Sequence, residues 1–229
     1  MRRMKIFTLA ASMILLAASL SAGAITTGGQ VDGTQLDIIG VTGFTTTGNQ
    51  MAGITVTAFY STGGSNSCTW LDLGGTAGGC AVDGEFIIVQ DGNTFSEPWT
   101  LANTSTFQSI NALVITGNGL IVFDRTFDGA DGTLGSEAGK DADGSTTDDS
   151  VGTATYFNLA AISPAAAVGD IFSDLGIFFE PGLGPGATAT FVADTDTVGV
   201  FGGEIPEPST MILLGAGLAA IAAVRRRSA

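Results

Sequence analysis

The chain has 229 residues, of which 45% are hydrophobic, so it is long and apolar enough to bury the core of one globular body. It carries 22 acidic residues against eight basic ones, a formal charge of −14. The basic residues gather at the two ends, so residues 25–206 hold 21 acidic and two basic residues, a formal charge of −19. A body so acidic is not expected to bind nucleic acid, because such binding needs cationic contacts to phosphate.

The first 24 residues have the organisation of a secretory signal peptide. A basic start, Met1–Lys5, precedes a mostly apolar run from Ile6 to Leu20. Ala22 and Ala24 then supply an A-x-A cleavage pattern, which predicts a cut after Ala24 by the secretion machinery. An uncleaved N-terminal anchor is the alternative, but the apolar run is short and the cleavage pattern is good.

Residues 25–203 are typical of an all-β body. Short runs rich in Thr, Val, Ile and Phe alternate with Gly, Asp and Asn turns, and Ala52–Tyr60 shows the period of two expected of a strand. About ten short strands favour a β-sandwich or jelly roll, flanked by a signal helix and a C-terminal transmembrane helix. The other predicted strands are Leu36–Val41, Thr69–Leu73, Glu85–Gln90, Ser109–Thr116, Leu120–Asp124, Thr153–Leu159, Ile171–Glu180, Thr188–Asp194 and Thr197–Phe201.

Cys68 and Cys80 are the only two cysteines in the chain. An even pair in an exported protein predicts a disulfide, because the compartment outside the cytoplasm is oxidising. A redox or metal-binding pair is the alternative, and the absence of a CxxC spacing argues against it.

The segment from Asp124 to Asp149 is rich in acidic residues and glycine. A flexible loop with many carboxylates can supply the six to eight oxygen ligands that Ca²⁺ takes. Asp128, Asp131, Asp141 and Asp143 are the candidate ligands, although the spacing does not fit an EF-hand. A solvated acidic loop without a metal is the favoured interpretation, and no other cofactor is expected.

The chain has no histidine, which excludes Ser-His-Asp catalysis and histidine-ligated metal sites. A glycosidase could still act through two carboxylates alone. Four aromatic residues could stack on sugar rings, although burial in the core is the simpler role for them: Tyr60, Trp70, Trp99 and Tyr156.

Residues 204–229 carry the most specific pattern. Pro206, Glu207 and Pro208 precede an uncharged apolar run over residues 211–224, and Arg225, Arg226 and Arg227 follow it. As a helix the run would be about 21 Å long, short for a hydrocarbon core of about 30 Å. The three arginines are expected to stay cytoplasmic, which places the body on the far side of the membrane.

This tail closely resembles the PEP-CTERM sorting signal. The resemblance implies that the tail holds the exported chain in the inner membrane, where the enzyme exosortase recognises Pro206–Pro208 and cuts nearby. The body would then reach the cell surface or the extracellular polysaccharide matrix. The same tail is also labelled a C-terminal domain of ice-binding proteins. A simple anchor that is never cut is the alternative.

The body resembles PEP-CTERM ectodomains more loosely, through Pro98–Thr104, Val122–Asp124, Gly169–Leu175 and Phe191–Asp196. We therefore expect a non-enzymatic protein of the surface or matrix, with exosortase and extracellular polysaccharide as partners. A secreted glycan-binding or glycan-active module is the alternative. Ice binding ranks lower, because the abundant Thr residues are irregularly spaced.

Overall fold

The computed structural model describes residues 22–42, 45–126, 133, 136 and 139–199. These residues form sixteen strands and one short 3₁₀ helix at Gly48–Met51. The strands are β1 (Ala24–Val31), β2 (Leu36–Ile38), β3 (Val41–Thr42), β4 (Thr55–Tyr60), β5 (Ser65–Thr69), β6 (Leu71–Gly74), β7 (Ala77–Val82), β8 (Phe86–Asp91), β9 (Trp99–Asn103), β10 (Ile110–Thr116), β11 (Ile121–Asp124), β12 (Asp143–Thr146), β13 (Val151–Ile162), β14 (Ile171–Leu183), β15 (Thr188–Val192) and β16 (Thr195–Val198).

The predicted all-β class is confirmed, but the described residues alone form sixteen strands rather than about ten. Several additional strands have only two to five residues, too short for a period of two to show. Two others have a composition that is not typical of strands, since β7 contains Gly78–Gly79 and β12 begins at Asp143 in the acidic segment. The predicted transmembrane helix and residues 1–21 of the signal peptide lie outside the described residues. Within the described ranges, no helix is long and apolar enough to cross a membrane.

The strands form one continuous sheet rather than the two separate sheets of a sandwich. The hydrogen-bonded order is β3-β16-β11-β14-β13-β1-β12-β15-β9-β8-β7-β6, and β10, β4 and β5 branch from β14. The branch exists because the thirteen-residue strand β14 pairs with β11 near one end and with β10 along the rest. Among the described strands, β5 and β6 each pair on one side only, and they follow one another in the chain with Trp70 between them.

The main core lies inside the rolled sheet. Trp70 and Trp99 are fully buried with ring centroids 5.1 Å apart, and Phe191 stacks on Trp99 at 6.0 Å. The indole N–H of Trp70 donates to the Gly48 carbonyl, and that of Trp99 donates to Ala193. Burying two indoles with both donors satisfied is a large apolar contribution at no hydrogen-bonding cost. A smaller apolar cluster comprises Ile38, Val41, Val122, Ala160 and Ile171.

Candidate functional site

Four aspartates are buried together around the ends of β11, β14 and β16. Asp124 ends β11, Asp170 precedes β14, and Asp194 and Asp196 flank Thr195 at the start of β16. Each is 5% exposed or less. Backbone bonds hold the four near one another, since the Asp124 amide donates to the Asp194 carbonyl and the Arg125 amide donates to the Asp170 carbonyl. We call these four residues the aspartate cluster.

Hydroxyl groups from the acidic segment reach into the aspartate cluster. Thr133 donates to Asp170 through both its amide and its hydroxyl. The Ser136 hydroxyl contacts Oδ2 of Asp124, and it also lies 2.9 Å from Oδ2 of Asp196. Because a serine hydroxyl has a single proton, it can donate to only one of these two carboxyl groups at a time. Both bonds can form together only when one of the two carboxyl groups is protonated and donates to the serine oxygen.

Burial favours the protonated form in this cluster. It raises the pKa of Asp124 to about 8, and the nearby charges of Asp196, Asp170 and Asp194 add to the effect, partly offset by the Ser136 hydroxyl. Burial likewise raises the pKa of Asp194 to about 7, with the charge of Asp196 acting in the same direction. Asp124 is therefore largely protonated at neutral pH. Its proton allows the Ser136 hydroxyl to bond to Asp124 and Asp196 at the same time.

The candidate calcium ligands do not come together in the described part of the chain. Asp141 pairs with Arg125, whose Nε and Nη2 donate to its two oxygens at 3.0 and 3.2 Å. Asp143 lies exposed in β12, while Asp128 and Asp131 fall outside the described residues. Among the residues that the structure describes, no three Asp, Glu or Cys side chains are arranged to hold a metal ion. A calcium site in the acidic segment stays a prediction.

Cys68 on β5 and Cys80 on β7 form a disulfide, with their Cα atoms 5.8 Å apart. Of the strands that the structure describes, β5 hydrogen-bonds only to β4, and β7 lies between β6 and β8. The disulfide therefore ties two parts of the sheet that no backbone hydrogen-bond ladder joins directly. This position gives it a structural role in closing the rolled sheet.

The four aromatic residues considered as sugar platforms are all buried. Trp70, Trp99 and Tyr156 are 0% exposed, and Tyr60 is 6% exposed. The Tyr60 hydroxyl donates to Glu85 at 2.6 Å, and the Tyr156 hydroxyl accepts from the Ala142 amide at 2.8 Å. These side chains build the core and are unable to stack on a ligand outside the protein.

Sequence reasoning did not identify the aspartate cluster as a unit, although a signal for it was present. Three of the four segments that loosely resemble PEP-CTERM ectodomains contribute its members: Val122–Asp124, Gly169–Leu175 and Phe191–Asp196. They lie up to 72 positions apart in the chain and meet through the pairing of β11 with β14 and β16. A strand order is needed to see that such distant segments share one place.

The tail is the part of the chain that matches a known family model. Residues 204–227 match the family described as the PEP-CTERM protein-sorting motif. The chain carries a PEP-CTERM sorting signal. The match contains all of the predicted recognition and topology residues, namely Pro206, Glu207, Pro208, Arg225, Arg226 and Arg227. No curated protein and no solved structure matches the chain.

As a PEP-CTERM protein, the chain is exported through the membrane and sorted as an exosortase substrate. The sorting motif lies outside the described residues, and its matched region begins five residues after Gly199, the last one described. Val198 and Gly199 are still tied to the body, since their amides donate to the Leu120 and Gly40 carbonyls at 2.8 Å. The described part of the body thus reaches to within five residues of the matched region.

Proposed function

We propose that this PEP-CTERM protein is a non-enzymatic component of the cell surface or the extracellular matrix, delivered there after exosortase has removed its tail. The observation that carries this proposal is the match of residues 204–227 to the sorting motif, which couples export to processing. An acidic body with a formal charge of −19 fits an exported role, because mutual repulsion keeps such a protein dispersed.

The chemistry of the body supports a role without catalysis. The chain has no histidine, and the carboxyl groups with the most strongly raised pKa values, Asp124 and Asp194, are 1% and 5% exposed. A general acid must reach the substrate atom that it protonates. Buried carboxyl groups bonded to Ser136, Thr94 and Thr195 are better suited to holding strands together.

Processing can be tested by following the protein in cells with and without the exosortase. We expect the body to leave the membrane fraction only when exosortase is present, with a C-terminus near Pro206 by mass spectrometry. The double variant E207A/P208A should keep its tail and stay in the membrane, because the recognised segment is lost. The variant E204A, within the same matched region but outside the Pro-Glu-Pro triplet, is the control and should be processed normally. Equal processing in cells that lack exosortase would contradict the proposal.

A further inference from the structure

One outer face of the rolled sheet is formed by six neighbouring strands. In strand order these are β5, β4, β10, β14, β13 and β1. Side chains that point away from the core line up across them, because pairing partners on adjacent strands share a face. We call one such set the Phe row, and the strand registers define its members as Ser65, Phe59, Ala112, Phe178, Thr153 and Thr26.

Two exposed rings stand on either side of a small residue in the Phe row. Ala112 pairs with Phe59 on one neighbouring strand and with Phe178 on the other. The backbones of the two phenylalanines are therefore two strand spacings apart, a distance of about 10 Å. Phe59 is 42% exposed and Phe178 is 43% exposed, while Ala112 is 8% exposed. The short side chain of Ala112 leaves space between the two rings. Phe157 packs edge-on against Phe178, with ring centroids 6.2 Å apart.

Hydroxyl groups border both rings. Ser65 pairs with Phe59, and Thr153 pairs with Phe178. In the adjacent row, Oγ of Thr57 and Ser67 lie 2.8 Å apart and hydrogen-bond to each other. A hydroxyl both donates and accepts, so it can pair with the hydroxyls of a sugar, while the apolar face of the sugar ring packs on phenylalanine.

The Phe row and the two rows on one side of it carry almost no exposed charge, although the body is strongly acidic. In the Phe row and the two rows that follow it along the strands, the one ionisable residue is Asp174, which is 7% exposed. Oδ2 of Asp174 accepts from Asn158 and Ser173, and its Oδ1 is buried without a hydrogen-bond partner among the described residues. On the other side of the Phe row, the exposed Glu180 lies two residues beyond Phe178 on β14. An anionic polymer would be repelled by the acidic body, and a cationic one would be drawn to the acidic surface elsewhere.

We propose that this face binds an uncharged polysaccharide, with sugar rings stacked on Phe59 and Phe178 and their hydroxyls bonded to neighbouring Ser and Thr. The proposal rests on the surface or matrix role proposed above and names the partner that the body meets there. The residues that stack on sugar are then the exposed phenylalanines, because the tryptophans are buried. The rows of Ser and Thr serve the sugar hydroxyls.

Affinity electrophoresis of the purified, exported protein tests the proposal. The gels contain one of four uncharged polysaccharides: hydroxyethylcellulose, glucomannan, dextran or soluble starch. A gel with carboxymethylcellulose gives a charged counterpart of the first. We expect retardation by at least one uncharged polymer and weaker retardation by carboxymethylcellulose. The double variant F59S/F178S should bind at least about tenfold more weakly, because both stacking surfaces are lost.

Two controls separate loss of the site from loss of the fold. F59Y/F178Y keeps both rings and should retain binding. L71S/I87S removes two side chains of similar exposure from β6 and β8, outside the Phe row, and should bind like the unmodified protein. Retention equal to wild type in F59S/F178S, or no retention by any of the four uncharged polymers, overturns the proposal. Failure of the sorting role would give a different result. Cell fractionation would recover the protein with its tail uncut, while the purified body would still bind polysaccharide.

Discussion

Asp124 shows how burial changes the acid–base behaviour of a single side chain. Its carboxyl group is 1% exposed, and its Oδ1 has no hydrogen-bond partner among the described residues. An ionised carboxylate in such a place is costly, whereas the protonated form avoids the charge and can bond to Ser136. The folded protein therefore holds a proton on Asp124 that the unfolded chain gives up near pH 4.

This difference sets the direction of a pH dependence. Between about pH 4 and the folded-state pKa of about 8, the folded protein binds more protons than the unfolded chain, so the free energy of unfolding falls as pH rises. Asp194, with a pKa of about 7, contributes in the same direction. We expect the melting temperature to fall by several degrees from about pH 5 to about pH 8.

The variant D124N isolates the contribution of this one group. An amide has no charge to bury, so the fall in melting temperature between the two pH values should be clearly smaller than in the unmodified protein. D143N, at an exposed position in β12, should leave the pH dependence unchanged. A melting temperature that rises with pH in the unmodified protein would contradict this account. If millimolar Ca²⁺ raised the melting temperature at pH 8 and gave heat in a calorimetric titration, the protein would instead bind a cation.

Among the elements, β5 and β7 depend on a covalent link. Cys68 and Cys80 enclose a loop that contains Trp70 and all of β6, and β7 is the one described strand that pairs with β6. Opening the disulfide frees this loop in the unfolded chain, which costs roughly 3 kcal/mol of stability in the chain-entropy model. We expect C68S/C80S to melt at a lower temperature by about 6–12 °C. Differential scanning calorimetry of the two proteins measures this shift, and an unchanged melting temperature would contradict a structural role.

The first strand bears on where the signal peptide is cut. Gly23 is bonded to β12, since its amide donates to the Asp148 carbonyl at 2.9 Å and its carbonyl accepts from Thr146 at 2.9 Å. A cut after Ala24 removes these bonds but leaves Ile25 in the core, paired with Gly144 and Gly152. We predict that N-terminal sequencing of the exported protein starts at Ile25. A start at Gly23 would show that the cell keeps the Gly23 bonds, and the predicted cleavage position would then be wrong.

For the whole molecule, the sequence predicts the class of fold and the destination better than the architecture. Alternation within Ala52–Tyr60 is a local property, and it led to β4 directly. The rolled sheet depends on pairings between distant segments, such as β1 with β13, which no local pattern contains. The acidic segment was interpreted as a loop because its composition is polar, yet its last residues form β12 between β1 and β15.

The functional prediction divides in the same way. The sorting motif is a contiguous stretch whose order of residues carries its meaning, so residues 204–227 could be recognised directly. The aspartate cluster and the Phe row are assembled from several strands. The tryptophans were candidate sugar-stacking residues because of their residue type. Whether a ring can stack on sugar depends on its exposure, which follows from the strand registers. Phe59 and Phe178 have nothing in their local sequence that separates them from the buried phenylalanines.

Intact-mass spectrometry of the protein recovered outside the cell tests the central claim most directly. The account predicts one species that begins at Ile25, ends near Pro206 and has a mass two hydrogen atoms lower than the reduced chain, because Cys68 and Cys80 are joined. Recovery of the uncut chain from Met1 to Ala229 in the cytosol, with both thiols free, would contradict it.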